Sequence, residues 1–336
     1  MLMMVEETAD KSRSQRDLER SVTARLKSQG VRNIGFPSGN RDETVYSNGS
    51  GSLWCAFGSA EDAKIPRRWN AFGVFDDKRH AQIITVEINI PTLTNSGAVA
   101  GFFARDPATG IVYLMHDGGI GGGKPGVGQS AFLAWSDHEL IEVGRSNGNV
   151  REGILLGRVD AGDITSRIWR YVQIVRDFKD AVDSGALDTD AVRRRVAEWD
   201  AYRKEARGRR RGTRRAEIDY ISYHGDVVDL LRDEREGRKT KREEVLNSPL
   251  IDLYVRAGGT MTELFEVKTS ISRQSLYTAI GQLVTHSADG GGNVSKTLVI
   301  PEGDLPDDLV RSIGALNIDV RRFHLSRGAK PKISLL

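Results

Sequence analysis

Near the start of the chain Leu18, Val22 and Leu26 recur four residues apart within SQRDLERSVTARLKSQG. That spacing predicts an amphipathic helix. The rest of residues 1–45 is polar, and FPSGNRDE and YSNGSGS read as loops. From Ser52 to about Gly157 the apolar runs shorten and fill with β-branched and aromatic residues: SLWCAFGS, WNAFGVF, AQIITVEINIP, GAVAGFFARD, GIVYLMHDGG and ELIEVGR. Gly, Pro, Asn and Asp separate them. They predict a β-rich domain of about six to eight strands, with GQSAFLAWSD its one helical candidate.

The spacing changes again after residue 160. DITSRIWRYVQIVRDFKDAVDSG predicts a long helix capped by Asp163 and stopped by Gly185. Further helical stretches follow between Leu187 and Gly237. The last third alternates: strands at LIDLYVRA, TELFEVKT, KTLVIP and DVRRFHL, helices at SRQSLYTAIGQLVTHS and PDDLVRSIGALN. That order predicts an α/β domain. Four segments result: a polar segment over 1–45, a β-rich recognition or sensor domain over 46–160, a helical linker over 161–213, and an α/β domain over 214–336.

Composition narrows the class. The 336 residues suffice for two domains, and 39% hydrophobic with 28% charged residues fit globular cores. No apolar run reaches the length of about 18 residues that a membrane helix needs. The N-terminus lacks the apolar region of a signal peptide. Cys55 is the only cysteine, which excludes an intrachain disulfide and a cysteine zinc site. A cytoplasmic location is expected. The net charge of +3 says little about partners.

The chemistry concentrates in SPLIDLYVRAGGTMTELFEVKTS. Side chains on a strand alternate faces, so Glu266 and Lys268 point one way and Phe265, Val267 and Thr269 the other. Ile251 and Leu253 flank Asp252 and are expected to oppose it. Pairing across Gly258-Gly259 brings Asp252, Glu266 and Lys268 together. Two carboxylates suit Mg²⁺, leaving positions for water and phosphate. A lysine beside them orients the water or stabilises developing charge.

The arrangement Asp252-x13-Glu266-x-Lys268 resembles the PD-(D/E)XK nuclease superfamily of restriction and recombination enzymes, over residues 214 to about 325. Pro249 does not adjoin the aspartate here, so the first part of the motif is loose. The resemblance implies an αβββαβ restriction-endonuclease-like core. It implies Asp252 and Glu266 as ligands of Mg²⁺, with Mn²⁺ a substitute, and Lys268 as a catalytic group. It also implies Gln282, on the helix after the third strand, and Glu217, on the first helix, as assisting residues; His224 competes with Glu217. Double-stranded DNA as substrate and a homodimer cutting one strand per copy follow from the same resemblance.

Two further stretches bear on partners. YRKEARGRRRGTRR carries Arg207, Arg209, Arg210, Arg211, Arg214 and Arg215, a cluster that attracts phosphate backbones. HDGGIGGGKPGVGQSAF is glycine-rich but lacks the order of a P-loop or a dinucleotide fingerprint. Its backbone can still approach an anion or base closely, with Lys124 toward a phosphate and Gln129 toward a base edge. Trp54, Trp69, Phe72, Phe75 and Trp135 are either core or a base-stacking set. Glu87, Asn89, His116 and Asp117 are a candidate separate site.

The expected function is therefore a Mg²⁺-dependent restriction or defence endonuclease whose β-rich domain reads the target. The alternatives are a nuclease switched on by a small nucleotide bound in the glycine-rich domain, and a DNA binder without catalysis.

Overall fold

The computed structural model describes all residues except 37–38, 122–126, 137, 139, 191, 195, 198–222, 249–250, 289–293 and 327–331. By its internal contacts the chain divides into two compact units, Met1–Thr213 and Arg214–Leu336. It is a mixed α/β protein rich in strands. Among the described residues no helix is long and apolar enough to cross a membrane.

The first unit runs β1 (Leu2–Met4), α1 (Thr8–Thr23), β2 (Lys27–Phe36), β3 (Gly39–Ser47), β4 (Leu53–Ala60), β5 (Arg67–Val74), β6 (Ala81–Ile83), β7 (Val86–Glu87), β8 (Ile90–Pro91), β9 (Gly101–Arg105), β10 (Val112–His116), α2 (Gln129–Ser136), β11 (Ile141–Gly144), β12 (Val150–Arg158) and α3 (Ile164–Asp183). Strands β1, β11, β12, β10 and β9 close into a barrel. A second sheet has the order β6-β2-β3-β4-β5-β7, with β8 on β5. One core joins barrel, sheet and helices: Leu18 and Val22 of α1 and Ile168, Val172 and Val175 of α3 pack with Phe72, Phe103 and Leu114.

Three readings of the sequence change here. The segment 1–45 is not a polar preface. β1 closes the barrel by pairing with β9 and β11, and α1 lies in the core. The stretch over 27–47 is a long antiparallel hairpin, where the sequence suggests the end of the first helix at KSQG and a loop at FPSGNRDE; the helix in fact ends at Thr23. Nearly all its side chains meet water, so no apolar alternation announces it; Ile34 and Val45 are its buried apolar pair. Third, Asp163 precedes α3 but does not cap it with its side chain, which binds Arg167 Nε at 2.8 Å instead. Gly185, at φ 74°, does stop the chain after α3.

The second unit runs α4 (His224–Glu236), β13 (Glu243–Ser248), β14 (Ile251–Ala257), β15 (Thr260–Val267), α5 (Arg273–Ser287), β16 (Ser295–Pro301), α6 (Asp307–Ala315), β17 (Ile318–Leu325) and β18 (Ile333–Leu335). Its six strands form one sheet in sequence order. β13 to β15 are antiparallel, β15 to β17 parallel, and β18 antiparallel again. The parallel steps need crossovers, which α5 and α6 supply. Helix α4 covers one face with Val227, Val228 and Leu231 on Leu253, Val267 and Val299. Helices α5 and α6 cover the other with Leu276, Ala279, Leu283 and Leu309 on Leu264, Leu298 and Ile300. Residues 264 and 267, and 298 and 299, thus divide between the faces as a pleated strand requires.

Candidate active site

The hairpin of β14 and β15 turns at Gly258 and Gly259, whose φ angles of 60° and 86° explain the glycines. From Ala257↔Thr260 the ladder runs to Leu253↔Phe265 and ends. Beyond it β15 stays with β16 through Val267↔Val299, and Lys268 N donates to Val299 O at 2.8 Å. On the other side the Val267 N–H donates to the Asp252 side chain, Oδ2, at 2.7 Å. A carboxylate thus takes the last ladder position on this edge of β15.

The alternation expected around Asp252 fails at one residue. Leu253 packs on the α4 face, but Ile251 packs with Tyr254 on the α5 face. The register of β13 on β14 shifts between Leu246 and Ser248, a bulge that changes which face a neighbouring side chain takes.

Glu266 has the parity of Leu264 and is only 3% exposed. Its Oε1 accepts from Lys268 Nζ at 2.8 Å. A buried carboxylate is costly without such a partner. The Lys268 charge also acts on Asp252, so Asp252, Glu266 and Lys268 form one electrostatic group. Burial pushes the Asp252 carboxyl up, but the His224 ring with its hydrogen bond, the Lys268 charge and the Val267 N–H together hold it below the usual carboxylate range.

His224 is the fourth member. It is the first residue of α4, and its Nε2 lies 3.1 Å from Asp252 Oδ1. The helix N-terminus favours the nearby negative charge. Helix α4 is fastened at its other end, where Arg235 binds Glu263 of β15 (2.7 Å) and Glu243 of β13 (2.9 Å). Arg321 of β17 binds Glu234 beside it at 2.6 Å. The family resemblance offered His224 only as a rival to Glu217; its contact with Asp252 is a property of the packed helix.

The remaining expected residues fall in three groups. Gln282 is half-buried on α5, which packs on β15 and β16. Glu217, Lys124 and Arg207, Arg209, Arg210, Arg211, Arg214 and Arg215 lie outside the described residues. Gln129 opens α2 and spends its amide within the fold, donating to the Asp117 carbonyl at 2.6 Å.

Each member of the candidate separate site in the first unit is engaged within the fold. Asn89 donates to Glu87 at 2.6 Å, and Asp117 binds Arg151 at 3.1 Å. His116 is fully buried, with Nδ1 2.8 Å from the Tyr171 hydroxyl. Of the aromatic set, Trp54, Trp69, Phe72 and Phe75 are buried in the cores, and Trp135 packs on Phe178 at 5.4 Å. They are core, not a stacking platform.

Asp252 and Glu266 offer two carboxylates, and no three His, Cys, Asp or Glu side chains converge on a metal position among the described residues. Two carboxylates without a third such donor are too few to cage a cation wholly in protein. Comparison with family models, with curated proteins and with solved structures gave no match.

Proposed function

We propose that the second unit is a Mg²⁺-dependent endonuclease of the PD-(D/E)XK type acting on double-stranded DNA, and that the first unit recognises its target. The observation that carries this reading is the group of Asp252, Glu266 and Lys268 where β14 and β15 part. It lies at the carboxyl end of β15, followed by the α5 crossover to a parallel strand, the place where α/β sheets present their chemistry. The order α4, β13, β14, β15, α5, β16 is αβββαβ and supports the same reading.

In this mechanism the Asp252 and Glu266 carboxylates bind the Mg²⁺. The bound ion supplies charge stabilisation on the phosphoryl oxygens and a more acidic water. Lys268, held by Glu266, presents its ammonium to the attacking water and to the charge that develops on the phosphate. His224 positions Asp252 by holding one carboxylate oxygen while the Val267 N–H holds the other. A carboxylate oxygen keeps a second lone pair, so both bonds are compatible with metal binding.

The test is digestion of unmodified, methylated and hydroxymethylated DNA with Mg²⁺, wild type beside Lys268→Ala. Cutting by wild type that Lys268→Ala loses supports the assignment. Equal cutting by both proteins rejects it. Cutting of one DNA class alone assigns target reading to the protein itself.

A further inference from the structure

A cleft of about 450 Å³ opens in the first unit between α1 and the sheet. Its origin is a second parting of strands. β3 pairs with β4 only at Tyr46↔Cys55 and Ser47↔Trp54, then follows β2, while β4 continues along β5 to Ala60↔Arg67. Helix α1 spans the gap with Arg16, Glu19, Arg20 and Thr23, which at i, i+3, i+4 and i+7 form one stripe.

The lining is sorted by chemistry. Tyr46 and Phe57 are half-buried and contribute aromatic surface; Phe57 is set edge-on against Phe72, 6.0 Å away at 83°. Arg16 and Arg20 are exposed, and Arg20 binds Asp17 at 2.6 Å. Among the described residues the side chains of Arg16 and Glu43 make no ion pair or hydrogen bond. A cleft of about 330 Å³ in the second unit differs on this point. There Arg235, Arg238 and Arg321 are each bound to a glutamate, so its charges are spent on the fold.

An aromatic floor stacks a planar ring, a free carboxylate accepts from an amino or ring N–H, and guanidinium groups take a phosphate. A nucleotide presents all three, and the volume is in the usual range of roughly 300–1,000 Å³ for small-molecule sites. We propose that this cleft binds a single nucleotide, the base on Tyr46 and Phe57, its edge at Glu43, and its phosphate at Arg16 and Arg20. The occupant is either a base everted from a DNA strand or a free mononucleotide. The inference deepens the reading of the first unit as the recognition half and rests on that reading for its use, although binding is measurable without any cutting.

The test titrates the full-length protein with the four deoxynucleoside monophosphates, the matching nucleosides and inorganic phosphate. Wild type, Arg16→Ala and Tyr46→Leu are compared, each checked for folding by its thermal melt. We expect saturable binding of at least one nucleotide, weakened roughly tenfold by Arg16→Ala. The nucleoside is insensitive to Arg16→Ala, and Tyr46→Leu weakens both. A duplex carrying 2-aminopurine separates the sources: a fluorescence rise on binding assigns an everted base, and nucleotide binding without that rise assigns a free ligand. No nucleotide binding at millimolar concentration, phosphate binding as tight as nucleotide binding, or no effect of either substitution overturns the proposal. Lys268-dependent cutting without nucleotide binding removes the cleft and leaves the nuclease; nucleotide binding without cutting does the reverse.

Discussion

The Asp252 carboxylate accepts the Val267 N–H at 2.7 Å, two residues beyond Phe265, where the backbone ladder between their strands ends. One side chain thereby finishes the sheet edge and faces the proposed metal position. The two roles separate by substitution. Asp252→Asn keeps an acceptor for Val267 and loses the charge, so stability changes little while cutting falls by about 10²–10³. Asp252→Ala leaves the N–H of a buried residue unmet and costs about 1–3 kcal/mol as well. Urea unfolding beside a cleavage assay distinguishes them; equal stability loss in both variants rejects the shared role.

Lys268 and Glu266 form a pair in which one partner is almost wholly buried. Removing the cation alone, as in Lys268→Met, takes the ion-pair partner at 2.8 Å from the buried Glu266 carboxylate, and breaking a buried pair from one side costs up to about 3–5 kcal/mol. Adding Glu266→Gln removes the buried charge itself, so the double variant recovers part of that stability. It does not recover cutting, because both groups belong to the proposed chemistry. A double variant as unstable as Lys268→Met shows that the pair is not what holds this edge together.

The grouping of Asp252, Glu266 and Lys268 was legible in the sequence because its signal is local. Asp252, Glu266 and Lys268 sit on two strands joined by a two-glycine turn, so period-two alternation and one hairpin place them together. Four strands and the two crossover helices of the last third followed for the same reason, each being long enough to show its period; β13, with the charged and polar sequence EEVLNS, and the three-residue β18 were not expected. What escaped is what depends on distant packing. β1 is three residues long, too short for any period, yet it closes the barrel. The β2–β3 hairpin buries so little of either face that polarity hid it. The bulge that sends Ile251 to the α5 face has no marker residue. His224 meets Asp252 across 28 positions of sequence. Trp54 and Trp69 are as apolar in a core as on a platform, and composition does not tell the two apart.

His116 gives the first unit a pH dependence. Gly118 N–H donates to its Nδ1 at 3.1 Å and Tyr171 approaches the same atom at 2.8 Å, so the ring is neutral with its proton on Nε2. Burial, reinforced by the Arg151 charge and opposed by Asp117, lowers its pKa from 6.5 to about 4. Between those values the unfolded chain binds a proton that the folded one refuses. Stability is therefore complete above pH 6.5 and is lost as the pH falls toward 4, by about 3 kcal/mol in all. His116→Gln lacks this slope. Subtracting its urea stability from that of wild type at pH 7.5, 6 and 5 cancels the carboxylates that titrate in both; a difference independent of pH rejects the buried neutral ring.

Gly73 and Gly58 test whether Trp54 and Trp69 are core. A Cβ on Gly73 would stand 2.4 Å from the Ile83 carbonyl and 2.5 Å from Trp54 Nε1; on Gly58 it would stand 2.3 Å from the Trp69 ring. Each indole therefore lies flat over a glycine of the neighbouring strand, which leaves no room for a base to slide between them. Gly58→Ala displaces a ring and costs about 1–3 kcal/mol, the usual range for an overpacked core. Gly73→Ala meets a backbone carbonyl as well, which yields less readily than a side chain, so its cost is the larger of the two. Both variants shift tryptophan emission, because the indoles leave their packed positions. Unchanged stability in Gly73→Ala means that Trp54 has space around it, and would return it to the set of residues able to stack on a ligand.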